Sequence, residues 1–229
     1  MNMTLSVSKT YFEDVKRVQN EIWQDIDVRD KIVIDVGVGE STKKLIELGA
    51  RVVVVENDPQ RIKELNVPII ICDFLNFPFQ TRIADIVVFY FTLHEINPNF
   101  HASALSIASK IAPQVIIVEP FPHGCPAYEE FAWIWKNAMQ SIGRFEEYKP
   151  LNYWETILKK VGFKIISRKI VNWKVNIPSD VLEDIVRVTI EDWKKKGVSE
   201  IWIDTLQKFL EKKPKMKWSD IAVIVGLFL

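Results

Sequence analysis

Asp35, Gly37 and Gly39 form an acidic, glycine-rich turn directly after a short apolar run at positions 32–34. The run has the β-branched composition of a buried strand, and residues 45–48 continue with the apolar spacing of a helix. A glycine turn between a buried strand and a helix is where open α/β sheets bind nucleotides. Glycine allows a sharp turn and lets a ligand approach without a Cβ atom in the way. These residues therefore predict a nucleotide-binding loop.

The charges around this turn select between nucleotide ligands. Asp35 and Glu40 lie in the loop, whereas the nearest lysines, Lys43 and Lys44, fall within the following helix. Two carboxylates would repel the pyrophosphate of a dinucleotide, but they would attract the ammonium and sulfonium groups of S-adenosylmethionine. The dinucleotide pattern G-x-G-x-x-G also requires a glycine where this chain has Thr42. The loop therefore favours S-adenosylmethionine over NAD.

Four more apolar runs follow the glycine turn, and each of them includes a polar or acidic residue near its end. They are Val52–Glu56, Pro68–Phe74, Asp85–Ile96 and Val115–Pro120. In this order and spacing, residues 31–120 resemble the class I S-adenosylmethionine-dependent methyltransferases, whose first motif is an acidic residue followed by G-x-G. The resemblance implies the activity of that family, which is the transfer of a methyl group from S-adenosylmethionine to an acceptor.

The resemblance also implies a set of cofactor-binding residues. Glu56 is expected to bind both ribose hydroxyls, and Asp73 and Phe74 are expected to contact the adenine. Asp35 is expected to position the methionine part of the cofactor through its charge or through a bridging water. The full expected set is Asp35, Gly37, Gly39, Glu56, Asn57, Asp73, Phe74 and Tyr90.

Each of these side chains also has a structural interpretation. Asp35 would hold loop amides if it were buried, and Glu56 would be a solvated carboxylate at a strand end, with Asp58 as the competing acid. Asp73 stands where an aspartate commonly forms a turn. Phe74 is one of thirteen phenylalanines, so it also fits the core.

His94 and Glu95 are the candidate catalytic residues, because they follow the fourth strand on the side expected to face the donor methyl group. The sulfonium is a good leaving group, so methyl transfer mainly needs alignment and exclusion of water. A general base is needed only where the acceptor loses a proton, and histidine suits that role. His94 equally fits a structural role, hydrogen-bonded to a loop carbonyl at the pocket floor. Glu95 fits a contact with the acceptor or with a neighbouring helix end.

The loop at 92–95 also bears on the acceptor. Together with Tyr90 it resembles the L-H-H/E loop of many small-molecule methyltransferases. It lacks the Asn/Asp/Ser-Pro-Pro-Tyr/Phe motif of nucleic-acid enzymes that methylate amino groups. A small-molecule acceptor is therefore favoured, and His123, after the fifth strand, is a further residue within expected reach of the pocket.

The predicted fold class is α/β, with a doubly wound seven-stranded sheet that is mostly parallel and has helices on both faces. The resemblance adds an antiparallel C-terminal strand, expected over Trp218–Phe228, and Pro59 is expected in the first turn of the second crossover helix. We expect a single methyltransferase domain over residues 1–229. Its expected parts are an N-terminal helical cap (1–30), a cofactor-binding half (31–120), and a substrate-side half (121–229) with a helical insertion at about 178–213.

The composition disfavours several classes of protein. Thirty acidic and thirty basic residues leave no net charge to attract nucleic acid or an anionic membrane. The lysines at 194–196 and 212–217 fit solvated helix ends better than an RNA-docking face. Cys72 and Cys125 have neither metal-ligand nor disulfide spacing, so no metal site is expected. No apolar run has the length of a membrane span or a signal peptide, so we expect a cytoplasmic monomer or homodimer.

The interpretation favoured by these features is a methyltransferase that uses S-adenosylmethionine and acts on a small molecule. No DNA partner and no membrane partner are expected. Two alternatives stay open. One is a methyltransferase for RNA or protein that uses the lysine-rich C-terminal part as a docking face, and the other is a non-catalytic protein that binds the cofactor with the same fold.

Overall fold

The computed structural model describes residues 2–62, 66–78 and 81–229. Seven strands of this part form one sheet: β1 (Ile32–Val36), β2 (Arg51–Glu56), β3 (Ile69–Ile71), β4 (Ile86–Tyr90), β5 (Gln114–Pro120), β6 (Phe163–Val171) and β7 (Ile221–Phe228). They lie in the order β3-β2-β1-β4-β5-β7-β6. Strands β1 to β5 pair in parallel, and the C-terminal strands are antiparallel. The predicted fold class is therefore confirmed.

Seven α-helices connect these strands: α1 (Asn2–Trp23), α2 (Glu40–Glu47), α3 (His101–Ile111), α4 (Pro126–Ser141), α5 (Leu151–Val161), α6 (Ser179–Lys196) and α7 (Glu200–Glu211). The last strand begins at Ile221, three residues later than predicted. The prediction of a second crossover helix was wrong for the described residues, because Pro59 begins a single 3-10 turn, Pro59–Arg61. Ile62 ends that turn in an extended conformation, with a φ of −75° and a ψ of 107°.

The chain forms two compact units. The sheet unit comprises residues 25–120, 149–170 and 222–229, and the helical unit comprises residues up to 24, 121–148 and 171–221. The expected division into a cap, a cofactor half and a substrate half stays a prediction. Within the described part of the chain, no helix is long and apolar enough to cross a membrane.

The main core of the sheet unit lies against α3 and α5. Every second residue of the central strands points into this core, as the two-residue period of a strand requires. Ile34 and Val36 of β1 and Val87 and Phe89 of β4 are at most 4 % exposed, and they belong to one cluster with the fully buried Trp154 of α5. Val36 and Phe89 lie at or next to the carboxyl ends of their strands, so the loops that follow β1 and β4 begin at packed positions.

Aromatic side chains form much of the core of the helical unit. Phe131 of α4 packs against Phe209 and Trp218, with ring centroids 5.8 and 5.9 Å away. Trp135, one turn further along α4, packs against the fully buried Trp193 at 5.6 Å. Aromatic residues of α4 that are spaced one turn apart therefore serve as core residues of this unit.

Candidate active site

The predicted site residues gather at the carboxyl ends of neighbouring strands in the sheet unit. The chain places β2 and β3 on one side of β1, and it places β4 and β5 on the other side. The direction of the crossovers therefore reverses between β1 and β4. Open α/β sheets bind ligands in the crevice at such a reversal, outside the carboxyl ends of the strands.

The glycine turn after β1 needs glycine for its backbone at one of the two predicted positions. Gly37 has a φ of +89°, and a Cβ atom there would lie 3.1 Å from Oγ1 of Thr92. Gly39 has extended backbone with a φ of 178°, and a Cβ atom there would meet no atom of the described residues within 4 Å. Gly37 is therefore required by the turn itself. At Gly39 the absent side chain leaves open space beside the loop.

Asp35 is fully buried and hydrogen-bonded to the first turn of α2. Its Oδ2 atom accepts hydrogen bonds from the hydroxyls of Thr42 (2.6 Å) and Ser41 (3.0 Å). Burial raises the pKa of Asp35 to about 7, because the loss of water disfavours the charge more than the two hydroxyls stabilise it. Asp35 therefore ties the glycine turn to α2 through hydroxyl groups, and its contact with a cofactor stays a prediction.

Glu56, at the end of β2, is only 2 % exposed, so it is not a solvated strand-end carboxylate. Its Oε2 atom accepts a hydrogen bond from the backbone N–H of Val38 (3.0 Å), and Oε1 accepts one from Asp58 (2.9 Å). Glu56 thereby joins the end of β2 to the glycine turn. A carboxylate has about four acceptor positions, so these two bonds leave capacity for ribose hydroxyls. The competing acid, Asp58, accepts a hydrogen bond from the backbone of Gln60 (3.0 Å).

Arg61 places a cation beside two acidic residues of the site. Its Nε atom lies 3.8 Å from Oε2 of Glu56, and its Nη1 atom lies 3.7 Å from Oε2 of Glu95. The side chains of Arg61 and Glu95 are 44 % and 45 % exposed, so their ion pair contributes little to stability. Glu95 thus has a partner across the site, and its contact with an acceptor stays a prediction. Asn57 is exposed next to Glu56 in the chain.

Asp73 and Phe74 follow β3 and have different surroundings. Asp73 is exposed and begins a 3-10 turn, in which its Oδ1 atom accepts a hydrogen bond from the backbone of Leu75 (3.0 Å). Phe74 is 4 % exposed and packs edge-on against Phe89, with ring centroids 5.2 Å apart. The observed contacts of Phe74 are those of a core residue. Contact of either side chain with adenine stays a prediction.

The chain leaves β4 through two aromatic residues, Tyr90 and Phe91, whose ring centroids are 4.6 Å apart. Burial raises the pKa of Tyr90 to about 12, and the charges of Glu40 and Asp35 add to that effect. Phe91 has a φ of +51°, in the left-handed region that costs energy for a bulky side chain. Its backbone N–H is held by the carbonyl of Val118 at 2.8 Å. Backbone strain of this kind concentrates at functional sites.

Thr92 connects the loop after β4 to the glycine turn. Its Oγ1 atom lies 2.8 Å from the carbonyl oxygen of Val36 and 3.0 Å from that of Tyr90. Its backbone N–H donates to Oε1 of Glu119 at 2.9 Å. Thr92 therefore contacts the carboxyl ends of β1, β4 and β5.

Glu119 is the last residue but one of β5, and the two oxygens of its fully buried carboxylate have different partners. Oε1 accepts hydrogen bonds from the backbone N–H groups of Thr92 (2.9 Å) and Leu93 (2.7 Å). Oε2 lies 2.6 Å from Nδ1 of His94, whose side chain is 10 % exposed. His94 is thus paired with a carboxylate, a partner that neither sequence-based interpretation of this residue included.

His101 of α3 supports the same turn. Its Nε2 atom lies 2.9 Å from the carbonyl oxygens of Leu93 and Ile96, and its Nδ1 atom lies 2.9 Å from the hydroxyl of Tyr153. Burial lowers the pKa of His101, which favours the neutral ring. Nε2–H therefore donates to the two carbonyls, and Nδ1 accepts the Tyr153 hydroxyl proton.

Comparison with known proteins identifies the architecture. No protein-family profile and no curated protein sequence matches the chain. Among solved structures, an S-adenosylmethionine-dependent methyltransferase from Archaeoglobus fulgidus matches with a TM-score of 0.57 and 17 % identity, over 93 % of each chain. The mycolic acid cyclopropane synthase CmaA1, complexed with SAH and CTAB, matches with a TM-score of 0.62 and 11 % identity, over 93 % of this chain and 83 % of that one.

The chain has the class I methyltransferase fold. Identities this low establish the fold and leave the reaction open. The (4+2)-cyclase SpnF also matches with a TM-score of 0.62 and 11 % identity, over 93 % of this chain and 80 % of that one. Function must therefore be argued from the site that this methyltransferase fold carries.

Sequence reasoning assigned no role at the loop after β4 to His101 or Glu119, and it named Thr92 only as a member of that loop. Only Glu119 had a visible signal, because an acid that ends a buried apolar run stands at the carboxyl edge of the sheet. His123, which was expected within reach of the pocket, belongs to the helical unit, where it is exposed and lies 3.6 Å from Glu129. Of the three histidines, His94 and His101 are therefore the ones that shape the loop after β4.

Proposed function

We propose that this chain binds S-adenosylmethionine and transfers its methyl group to a small-molecule acceptor. The observation that carries the proposal is the glycine turn in its methyltransferase fold. A Cβ atom at Gly39 would point into open space, and the neighbouring Val38 is bonded to Glu56, the acid expected to bind ribose. The turn is thus fixed by its own hydrogen bonds and stays accessible to a ligand.

The proposed cofactor lies along the carboxyl ends of β1, β2 and β3. Glu56 accepts hydrogen bonds from the ribose hydroxyls with its remaining lone pairs, and the exposed Asn57 and Asp73 flank the adenine. Asp35 and Tyr90 are assigned to the methionine end. Their positions support that assignment, because both lie near the carboxyl ends of the paired strands β1 and β4, beside the reversal of strand order.

The proposed reaction is an in-line displacement. A lone pair of the acceptor attacks the methyl carbon, and the carbon–sulfur bond breaks with its electrons left on sulfur. The protein has to align donor and acceptor and exclude water. The hydrogen bonds of Glu56, Thr92 and Glu119 support this role, because they hold the glycine turn and the loop after β4 in place.

The small-molecule class is supported by two features of the chain. The formal net charge is zero, so no long-range field gathers a polyanion. The segment from Tyr90 to Leu93 also lacks the proline pair of nucleic-acid amino methyltransferases. If RNA were the acceptor, binding would weaken steeply with salt, because each phosphate contact releases a counterion.

Isothermal titration calorimetry with S-adenosylhomocysteine and with NAD tests the cofactor assignment. We expect a micromolar dissociation constant for S-adenosylhomocysteine, or about 8 kcal/mol, and no measurable binding of NAD. Glu56→Gln should weaken S-adenosylhomocysteine binding by about 1 to 3 kcal/mol through the lost charge-assisted hydrogen bonds.

Asp58→Asn provides the matched control, because it removes a carboxylate two residues away and asparagine is an equally good cap. Its effect on affinity should be less than about twofold. Tight binding of NAD, or an Asp58→Asn effect larger than that of Glu56→Gln, would reject the assignment. If the protein binds S-adenosylhomocysteine but produces none from S-adenosylmethionine with any acceptor, the non-catalytic alternative holds.

A further inference from the structure

Strand β6 forms one edge of the sheet, next to β7, and it is long for an edge strand. It has nine residues, whereas β3 at the opposite edge has three. An edge strand points half of its backbone N–H and C=O groups away from the sheet, and natural proteins often shorten such strands to prevent pairing with another chain. The edge at β3 is short in this way. The edge at β6 presents a long row of hydrogen-bonding groups.

The side chains on one face of β6 alternate between cations and isoleucines. Successive side chains of a strand point to opposite faces, so Lys164, Ile166, Arg168 and Ile170 share a face. All four are exposed, Ile166 by 51 % and Ile170 by 47 %. Exposed apolar side chains on a long edge strand favour pairing with another strand. We call the segment 164–170 the β6 edge.

An open groove of about 600 Å³ runs beside the β6 edge, between β6 and α5. Glu155 and Lys159 line it from α5, and residues 163–168 line it from β6. The groove leaves room for side chains of an added strand on the side of the sheet that α5 covers. The described residues that line it are distinct from those of the candidate active site.

The groove and the β6 edge carry an excess of positive charge. Glu155 is the acid that lines the groove, and its Oε1 atom lies 2.6 Å from Nη1 of Arg168. The side chain of Arg168 is 63 % exposed, so the other donors of its guanidinium stay accessible. Among the described residues, Lys159 and Lys164 have no ion-pair partner. A partner with acidic side chains therefore complements this surface.

The charge pattern disfavours a second copy of this chain as the added strand. Two copies of β6 that pair in antiparallel about a twofold axis bring the shared face of one against that of the other. With Ile166 at the axis, Lys164 lies opposite Arg168, and with Arg168 at the axis this residue lies opposite itself. With Ser167 at the axis, each cation lies opposite an isoleucine. Like charges directly opposite destabilise a strand pair, so a different partner is favoured.

We propose that the β6 edge docks an extended, acidic segment of another protein, which adds to the sheet as a further strand. The segment has acidic residues opposite Lys164 and Arg168, and it has apolar residues opposite Ile166 and Ile170. Backbone hydrogen bonds attach the segment, and the cross-strand pairs select its sequence. This inference is independent of the proposed methyl transfer, because the β6 edge includes no residue assigned to the cofactor or the acceptor.

The probe is a peptide with blocked ends, Val-Thr-Glu-Thr-Val-Thr-Glu, added to the full chain. Antiparallel to the β6 edge, its glutamates lie opposite Lys164 and Arg168, and its valines lie opposite Ile166 and Ile170. Threonine at the other positions favours an extended strand. A lysine peptide, with both glutamates replaced by lysine, is the charge control. A proline peptide, with its fourth and fifth residues replaced, is the backbone control, because proline cannot donate to the ladder.

Amide NMR spectra and hydrogen exchange locate the bound peptide. We expect saturable binding of the acidic peptide, with alternate amides of residues 164–170 gaining protection, because half of these N–H groups face the added strand. The lysine and proline peptides should bind at least about tenfold more weakly. No saturation by the acidic peptide at about 1 mM, or protection outside β6 alone, would overturn the proposal.

Lys164→Glu tests the charge pattern by reversing it. This variant should bind the acidic peptide about five- to tenfold more weakly and the lysine peptide more tightly by a similar factor, because an attractive cross-strand pair becomes repulsive and a repulsive one becomes attractive. Lys194→Glu makes the same change on an exposed residue of α6, and both affinities should stay within about twofold. Equal effects of the two variants would mean non-specific attraction and would reject a docking edge.

Ile166→Ser tests the apolar part of the pattern. It should weaken binding of the acidic peptide about fivefold through the lost apolar contact. Ile71→Ser is the matched control, since Ile71 is 58 % exposed on β3 at the opposite edge, and its effect should be below about twofold. An unchanged affinity of Ile166→Ser contradicts the proposed pairing. Self-association through the β6 edge that the acidic peptide does not displace, or protection of this edge by single-stranded oligouridine in place of the peptide, would assign it to another occupant and overturn the proposal.

Discussion

Replacing Asp35 by asparagine is expected to remove a pH dependence from the stability of the protein. Asp35 is fully buried, and burial raises its pKa to about 7. The folded protein therefore binds a proton at Asp35 more tightly than the unfolded chain does. Asparagine fits the same place, because a carbonyl at the position of Oδ2 can accept the hydrogen bond of Thr42, while an amide group at the position of Oδ1 donates to the hydroxyl of Ser41.

The size of the effect follows from the shift in pKa. Because the pKa of Asp35 is higher in the folded state, its protonated form stabilises the protein fully below pH 3.8. That stabilisation is lost as the pH rises through about 7. The full difference is about 4 kcal/mol at 1.36 kcal/mol for each pH unit, and about 2 to 3 kcal/mol of it falls between pH 5 and pH 8.

Urea denaturation of both proteins at pH 5, 6, 7 and 8 measures this term. The free energy of unfolding of Asp35→Asn, relative to wild type, should rise by about 2 to 3 kcal/mol from pH 5 to pH 8. The contributions of other titrating groups to the free energy of unfolding cancel in this difference, because both proteins contain those groups. Asp27→Asn makes the same chemical change at an exposed side chain, and its difference from wild type should move by less than about 0.5 kcal/mol. A pH-independent difference for Asp35→Asn would refute the argument.

Three further predictions concern the loops of the site. Gly37→Ala should lower the free energy of unfolding in urea by about 1 to 3 kcal/mol, because Gly37 has a positive φ and a Cβ atom there would contact Thr92. Gly39→Ala should leave the free energy of unfolding unchanged, and it should weaken S-adenosylhomocysteine binding about tenfold in calorimetry. Thr92→Val should lower the free energy of unfolding by about 1 kcal/mol, since a carbonyl loses its donor, and Thr92→Ser should restore it. The pKa of His101 is lowered in the folded protein, so its neutral ring stabilises the fold above pH 6.5, and this stabilisation is lost as the pH falls through the folded pKa. His101→Gln, made in an Asp35→Asn background, should therefore reduce the pH dependence of the free energy of unfolding in urea below pH 6.5.

Sequence reasoning predicted the sheet and the strand ends well, because both depend on the pattern of residues within short segments of the chain. A buried strand is a short apolar run, and the residue that ends it is polar because the chain there reaches the edge of the sheet. In the structure Glu56 ends β2 and Asp73 stands two residues after β3, whereas Asp35 is the last residue but one of β1. Gly37 likewise has the positive φ that its position in a tight turn implies.

The partners of those side chains could not be predicted, because they depend on which strands become neighbours. Glu119 and His94 are 25 positions apart, and they meet only because β4 and β5 pair in parallel with Tyr90 opposite Val118. No pattern within either segment contains that register. The sequence instead suggested Glu95 as the acid next to His94.

Crossovers and aromatic residues were harder to predict for a different reason. A proline followed by polar residues fits a helix start or a single 3-10 turn equally well, and within the described residues the extended backbone of Ile62 ends the turn. Phe74 follows an acid at a strand end, which fits adenine contact, yet Phe77 and Phe89 surround its ring. Packing with residues distant in sequence decided its place.

Hydrogen bonds from backbone N–H groups and one hydroxyl connect the strand ends of the site to the loops of neighbouring strands. Glu56 reaches from β2 to the glycine turn after β1, and Thr92 joins that turn to the loop after β4. Glu119 then joins this loop to β5. Four strand ends are therefore connected by one series of hydrogen bonds between groups of the protein itself. Since buried carboxylates are costly unless every donor is in place, this series couples the stability of the fold to the geometry of the site. The same bonds that fold the loops thus set the positions on which alignment of donor and acceptor depends.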